Sequence, residues 1–289
     1  VQIENDGITL HVAEDGDPVA PPILLLHGIT SFGGTWEWIV PELAERFRVL
    51  RLDFRGHGAS DRAPGGYHVA GYVSDAVTVC EQLLDGPALF MGHSLGGVTT
   101  AIVMQQRPDL VRAAILEDPP LRSAHAAPDP GRPLDDGHAM VESFRMMRQT
   151  LPGIQAAGMT ADAVAELLAS APGPSGTALG ASIHADGLRS TAGSLLAVDP
   201  TVLDPVLEGR IDLLLDPDGP FDAPTLIVTA DPERPDAVAD PSAARHFASI
   251  SPATEVLTVP GAGHLVHDEI ASRDAFRSAV LEFLGRVAP

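Results

Sequence analysis

Two rhythms of apolar and polar positions alternate along this chain. Residues 23–26 and 88–91 are unbroken apolar runs, the pattern of strands covered on both faces. Residues 49–53, 112–117, 225–229 and 255–259 read as further strands. Between them, residues 36–47, 69–84, 95–107, 241–250 and 268–287 carry apolar side chains at helical spacing. Strands alternating with helices predict an α/β fold: a mostly parallel central sheet with helices on both faces. At the start, residues 2–4 and 8–13 alternate around Asn5-Asp6-Gly7, which predicts an antiparallel hairpin.

The rhythm breaks after residue 118. Up to about residue 220 no strand is predicted, and helical spacing recurs near 140–150, 161–170 and 202–207. This predicts a sheet core of residues 1–118 and 222–289 carrying an inserted helical cap, 119–221. Met140, Phe144, Met146, Met147 and Leu151 give the insertion an apolar, adaptable surface. His184, Asp186 and Arg189 are polar positions in it with no assignable role.

Chemistry concentrates where predicted strands end. Phe90-Met91-Gly92-His93-Ser94-Leu95-Gly96-Gly97 places Gly-x-Ser-x-Gly between a buried strand and a helix. In that context the turn is strained and lifts the Ser94 hydroxyl above the sheet edge. A serine hydroxyl needs a base, and the base needs a group to orient it. His264, in Gly261-Ala262-Gly263-His264 after the last predicted strand, is the candidate base; His267 is read as a surface or supporting residue in the first turn of the last helix. Three carboxylates compete to orient His264. Asp118 ends the strand after the elbow, while Asp231 and Glu233 follow the strand after the insertion. Asp118 is preferred because it is attached directly to the strand beside Ser94.

With these residues in place, the sequence resembles the α/β-hydrolase superfamily over nearly its whole length outside the insertion. The resemblance rests on His27-Gly28, Asp53-x-Arg55-Gly56-x-Gly58-x-Ser60, Gly92-His93-Ser94-Leu95-Gly96-Gly97 and Gly263-His264, in the family's order. It implies that the Ile29 and Leu95 backbone N–H groups form an oxyanion hole, and that the 53–60 loop is structural, with His57 a packing residue. The family's acid most often falls where Glu233 stands, with Asp231 two before it. A branch that includes zearalenone-type lactonases carries it where Asp118 stands. Dehalogenases and epoxide hydrolases of this fold use an aspartate nucleophile, which serine replaces here. Those epoxide hydrolases also use cap tyrosines, whereas Tyr67 and Tyr72 precede the insertion.

Composition narrows the partners. The net charge is −21 and the chain has no lysine, which argues against nucleic acid or an anionic membrane as partner. No apolar run approaches the roughly 18 residues of a membrane span. The single cysteine, Cys80, excludes an internal disulfide; with no signal peptide evident at Val1-Gln2-Ile3-Glu4, a cytoplasmic location is expected. Neither a metal-ligand set nor a phosphate-binding loop stands out, so no cofactor is expected. The sequence-level expectation is a serine hydrolase of a small, neutral, lipophilic ester or lactone. The alternatives are carbon–carbon bond hydrolysis by the same three residues, or a slow-turnover ligand receptor.

Overall fold

The computed structural model describes residues 1–121, 139–210 and 214–288. Eight strands form one sheet: β1 (Gln2–Asn5), β2 (Ile8–Asp15), β3 (Pro22–Leu26), β4 (Arg48–Asp53), β5 (Ala88–His93), β6 (Val111–Glu117), β7 (Thr225–Thr229) and β8 (Thr254–Thr258). Their spatial order is β1-β2-β4-β3-β5-β6-β7-β8. β2 pairs antiparallel with β1 and β4, and every other pair is parallel. The β1–β2 turn holds Asp6 at φ 52° and Gly7 at φ 79°, the left-handed pair that a two-residue hairpin of this hand needs.

The unbroken apolar runs are explained by burial on both faces. Leu24, Leu26, Phe90, Ala114 and Leu116 enter one core layer; Ile23, Leu25, Leu89, Met91, Ala113 and Ile115 enter the other. Helices α2 (Val69–Leu83) and α3 (Leu95–Gln106), and α9 (Pro241–Ile250) further along the chain, pack on the first layer. Helices α1 (Val40–Leu43) and α10 (Arg273–Val287) pack on the second. The helical reading of 36–47 shrinks to a 3₁₀ turn at Gly33–Trp36 and the short α1, because Pro41 has no N–H to continue a helix and is accepted only at its start. The last helix begins at Arg273 rather than near 268: the residues before it form turns, with His264, His267, Asp268, Glu269 and Ser272 buried.

Between β6 and β7 the described residues add no strand to the sheet. They form α4 (Ala139–Ala156), α5 (Ala161–Ser170), α6 (Leu179–Ser182), α7 (Ala185–Ala197) and α8 (Asp204–Leu207). Phe144, Leu151, Leu195 and Val206 pack into the first core layer. Polar ties join the insertion to the sheet domain: Tyr67 donates to Asp199 (2.8 Å), and Arg273 pairs with Asp186 (2.7 Å). Among the described residues, no helix is long and apolar enough to cross a membrane.

The sheet order has a switch point. From β3 the chain moves outward to β4, whereas from β5 it moves the other way through β6, β7 and β8. Ligands of open α/β sheets bind outside the carboxyl ends of the strands at such a point. Here the loops leaving β3 and β5 carry Gly28-Ile29 and Ser94.

Candidate active site

Ser94 sits between β5 and α3 at φ 51°, ψ −112°. A non-glycine residue there costs on the order of 1–3 kcal/mol and persists only when its surroundings enforce it. The enforcement is close packing. A Cβ on Gly92 would run into the Gly96 carbonyl, and one on Gly96 into the Leu26 carbonyl. The Ser94 N–H donates to the Glu117 carbonyl (2.9 Å), which ties the elbow to β6. Its hydroxyl has no hydrogen-bond partner among the described residues, and no hydrogen bond yet joins it to His264.

Asp118 is a second strained position, at φ 39°, and is fully buried. Its Oδ1 accepts the Ala230 and Ala239 N–H groups (3.0 and 3.1 Å). Its Oδ2 accepts the Val238 N–H (2.9 Å) and His264 Nδ1–H (2.7 Å). The bond to Oδ2 assigns the Nδ1–H tautomer to His264 and leaves Nε2 for a substrate or hydroxyl. Of the three carboxylates weighed from the sequence, Asp118 is the one that reaches the imidazole. Asp231 instead accepts the Glu233 and Gly261 N–H groups (2.9 and 2.7 Å), and those bonds hold its carboxyl below the usual range. Glu233 is exposed.

The Ile29 and Leu95 N–H groups make no hydrogen bond to the protein among the described residues. Both residues line one cleft with Ser94, and Leu95 also opens α3, whose amino end favours negative charge. Val98, Met140, Phe144 and Val206 add apolar walls, and no described lining residue is charged. Of the apolar positions predicted for the insertion, Met140 and Phe144 line this cleft. Met147 and Leu151 pack into the core, and Met146 points to solvent, 66% exposed. The arrangement is suited to holding an acyl group against a hydroxyl, with donors ready for the oxygen that becomes negative.

Residues 21–270 match the model of the alpha/beta hydrolase fold. The chain belongs to that family. Over 111 residues it is 38% identical to a 2-(acetamidomethylene)succinate hydrolase of Mesorhizobium japonicum, a stretch covering 38% of this chain and 39% of that relative. It is 28% identical over 147 residues to an (E)-2-((N-methylformamido)methylene)succinate hydrolase of Acinetobacter baylyi, covering 50% of this chain and 55% of that one. The crystal structure of an E-2-(acetamidomethylene)succinate hydrolase superimposes with a TM-score of 0.73 at 25% identity, covering 99% of this chain and 98% of the other. The sequence matches to these curated relatives thus span only about half their length or less.

Several buried groups escaped the sequence reading. His267 is not a surface residue: it is fully buried, and both its N–H (2.9 Å) and its Nδ1 (2.8 Å) bond to Glu117. Its Nε2 meets Thr35 Oγ1 at 3.0 Å. Burial works against its charge, but the Glu117 and Asp268 carboxylates outweigh that and raise its pKa. Glu117, His267 and His93 bring donor atoms within 4.8 Å of one another, a grouping no spacing along the chain reveals. Both Glu117 oxygens are already taken by His267, so the cluster is internally bonded as it stands. Burial pushes the Cys80 thiol up to about 12, which leaves it unreactive.

His27, His57 and His93 are buried and neutral. Burial is the main cause in each, lowering His57 to about 4 and the other two well below the usual range. His27 donates from Nδ1 to the Gly28 carbonyl (2.8 Å) and accepts the Phe54 N–H (3.1 Å), which pins the loop before Ile29. These histidines bind protons more readily in the unfolded chain, where the pKa is about 6.5, so stability is lost as pH falls from there towards 4. Each contributes a slope of up to about 1.4 kcal/mol per pH unit. Denaturant midpoints measured at pH 7, 6 and 5 are expected to fall steadily, and His57→Gln to fall less steeply. A flat profile over that range would contradict these assignments.

Proposed function

We propose that the protein is a serine hydrolase acting through a covalent acyl-Ser94 intermediate. The observation that carries this is Asp118 Oδ2 set 2.7 Å from His264 Nδ1 at the sheet edge where Ser94 is held in a strained turn. His264 Nε2 takes the Ser94 proton as Oγ attacks the carbonyl carbon. The oxyanion is received by the Ile29 and Leu95 N–H groups. The intermediate collapses, His264 gives its proton to the leaving group, and a water deprotonated by His264 then releases the acid. The described residues of the 119–221 segment act as a cap, with Met140, Phe144 and Val206 closing the cleft over Ser94; residues 122–138 and 211–213 lie outside the described residues.

A first reading, from the cleft walls and the surface charge, is a neutral, lipophilic ester or lactone. The described cleft walls carry no charge, and a protein of net charge −21 repels anions at low salt. The relatives named as hydrolases of acylamidomethylene succinates fit a second reading better than the first. In it the same residues cleave a carbon–nitrogen or carbon–carbon bond beside a carbonyl, in an anionic substrate. Comparing kcat/KM for matched neutral and carboxylate-bearing p-nitrophenyl esters separates the two. The first reading expects the neutral ester to be favoured at least tenfold at low salt, with the gap narrowing as salt is added. A clear preference for the anionic ester would transfer the assignment to the second.

A further inference from the structure

β6 ends in two adjacent carboxylates with different targets. Asp118 serves the His264 ring. Glu117, also fully buried, serves the loop that carries His264. Glu117 Oε1 accepts the His267 backbone N–H (2.9 Å), and both its oxygens accept from His267 Nδ1 (2.8 and 2.9 Å). One side chain thus fixes the backbone and the ring of the residue three beyond His264. Thr35 bonds the far side of that ring, and Trp36 lies against it with centroids 4.7 Å apart. The Glu117 carbonyl, meanwhile, accepts the Ser94 N–H (2.9 Å). A second bridge runs through His93, whose Nε2–H donates to the His264 carbonyl (3.0 Å) from the position just before Ser94.

We propose that Glu117 and His267 are positioning residues: a buried hydrogen-bonded clamp that registers the His264 loop against the Ser94 elbow. The proposal rests on His264 acting as the base for Ser94. Glu117 touches both parts that must meet, the elbow through its carbonyl and the base loop through its carboxylate. His267 is held by Glu117 on one ring nitrogen and Thr35 on the other; Asp268 stands 3.6 Å from Nε2, Arg273 donates to its carbonyl (2.7 Å), and the His93 ring is 5.0 Å away. A buried ion pair is by itself weak ground for stability. A displacement of about 1 Å between nucleophile and base, by contrast, costs on the order of 10²-fold in rate.

The test uses Glu117→Gln, His267→Gln and His267→Ala, with kcat and KM for a p-nitrophenyl ester, melting temperature and the low-field NMR signal of the His264 Nδ1 proton. Glu117→Gln is expected to lower kcat by about 10²-fold with KM within about twofold, and to move or broaden that signal. His267→Gln, which keeps a side-chain donor for Glu117, is expected to retain more kcat than His267→Ala. A folded Glu117→Gln variant with near-normal kcat and an unmoved signal would overturn the clamp. Should that variant not fold, equal kcat in the two His267 variants would overturn it instead. Fluorophosphonate labelling of the unaltered protein separates the two levels. Label on a residue other than Ser94 removes the catalytic reading itself, whereas label on Ser94 with unaffected Glu117 and His267 variants removes the clamp alone.

Discussion

Ser94→Ala is expected to fold normally and to lose turnover of a p-nitrophenyl ester by about 10⁴-fold or more. Loss of a nucleophile that works as a unit with its base costs that much or more. Folding is expected to survive because the Ser94 hydroxyl has no hydrogen-bond partner among the described residues, so its removal orphans nothing. The packing that enforces the turn comes from Gly92 and Gly96, which the substitution leaves alone. Stability within about 1 kcal/mol of the parent is therefore expected, checked by denaturant unfolding alongside kcat. Retained turnover in a folded variant would place the chemistry elsewhere.

The second large effect is expected at Asp118. Its carboxylate receives four donors: three backbone N–H groups and His264 Nδ1–H. Asparagine of the same shape has one carbonyl oxygen and one NH₂ group. Whichever way the amide turns, the NH₂ faces N–H groups it cannot accept from. If it faces His264, the imidazole must adopt the other tautomer and present a proton, not a lone pair, to Ser94. Asp118→Asn is expected to lower kcat by about 10²–10⁴. It is also expected to destabilise the fold by about 1–3 kcal/mol, the cost of leaving a buried donor unmet. Asp231→Asn and Glu233→Gln are each expected to keep kcat within about tenfold of the parent. The same ester assay checks all three, and a larger loss at Glu233 or Asp231 than at Asp118 would reverse the assignment.

Much of this architecture was legible in the chain because it depends on local pattern. Runs such as 23–26 and 88–91 announce strands buried on both faces, and Gly92 and Gly96 around Ser94 mark a tight strand-to-helix turn. The loop histidine His264 follows a strand in the same way. What stayed hidden depends on contacts between distant positions. Glu117 closes an apolar strand and looks like an edge residue; only the fold brings His267, 150 positions later, onto it. His267 follows two apolar residues, Leu265 and Val266, which was the one hint that its segment is buried. Asp118 could be preferred over Asp231 and Glu233 from its attachment to the strand beside Ser94, but excluding the other two turned on loop direction, which sequence does not carry. The turn after β7 points Asp231 back at the Gly261 N–H, away from the imidazole. The late start of α1 was legible in principle, since Pro41 marks a helix start and not an interior.

The covalent intermediate is the central claim, and mass spectrometry tests it most directly. The protein is mixed with a slowly hydrolysed activated ester, quenched in acid, digested and mapped. One acyl group per chain is expected, carried on Ser94, absent from Ser94→Ala and accumulating in an initial burst. An adduct on another side chain, or full steady turnover with no acylated Ser94 at any time, would contradict it.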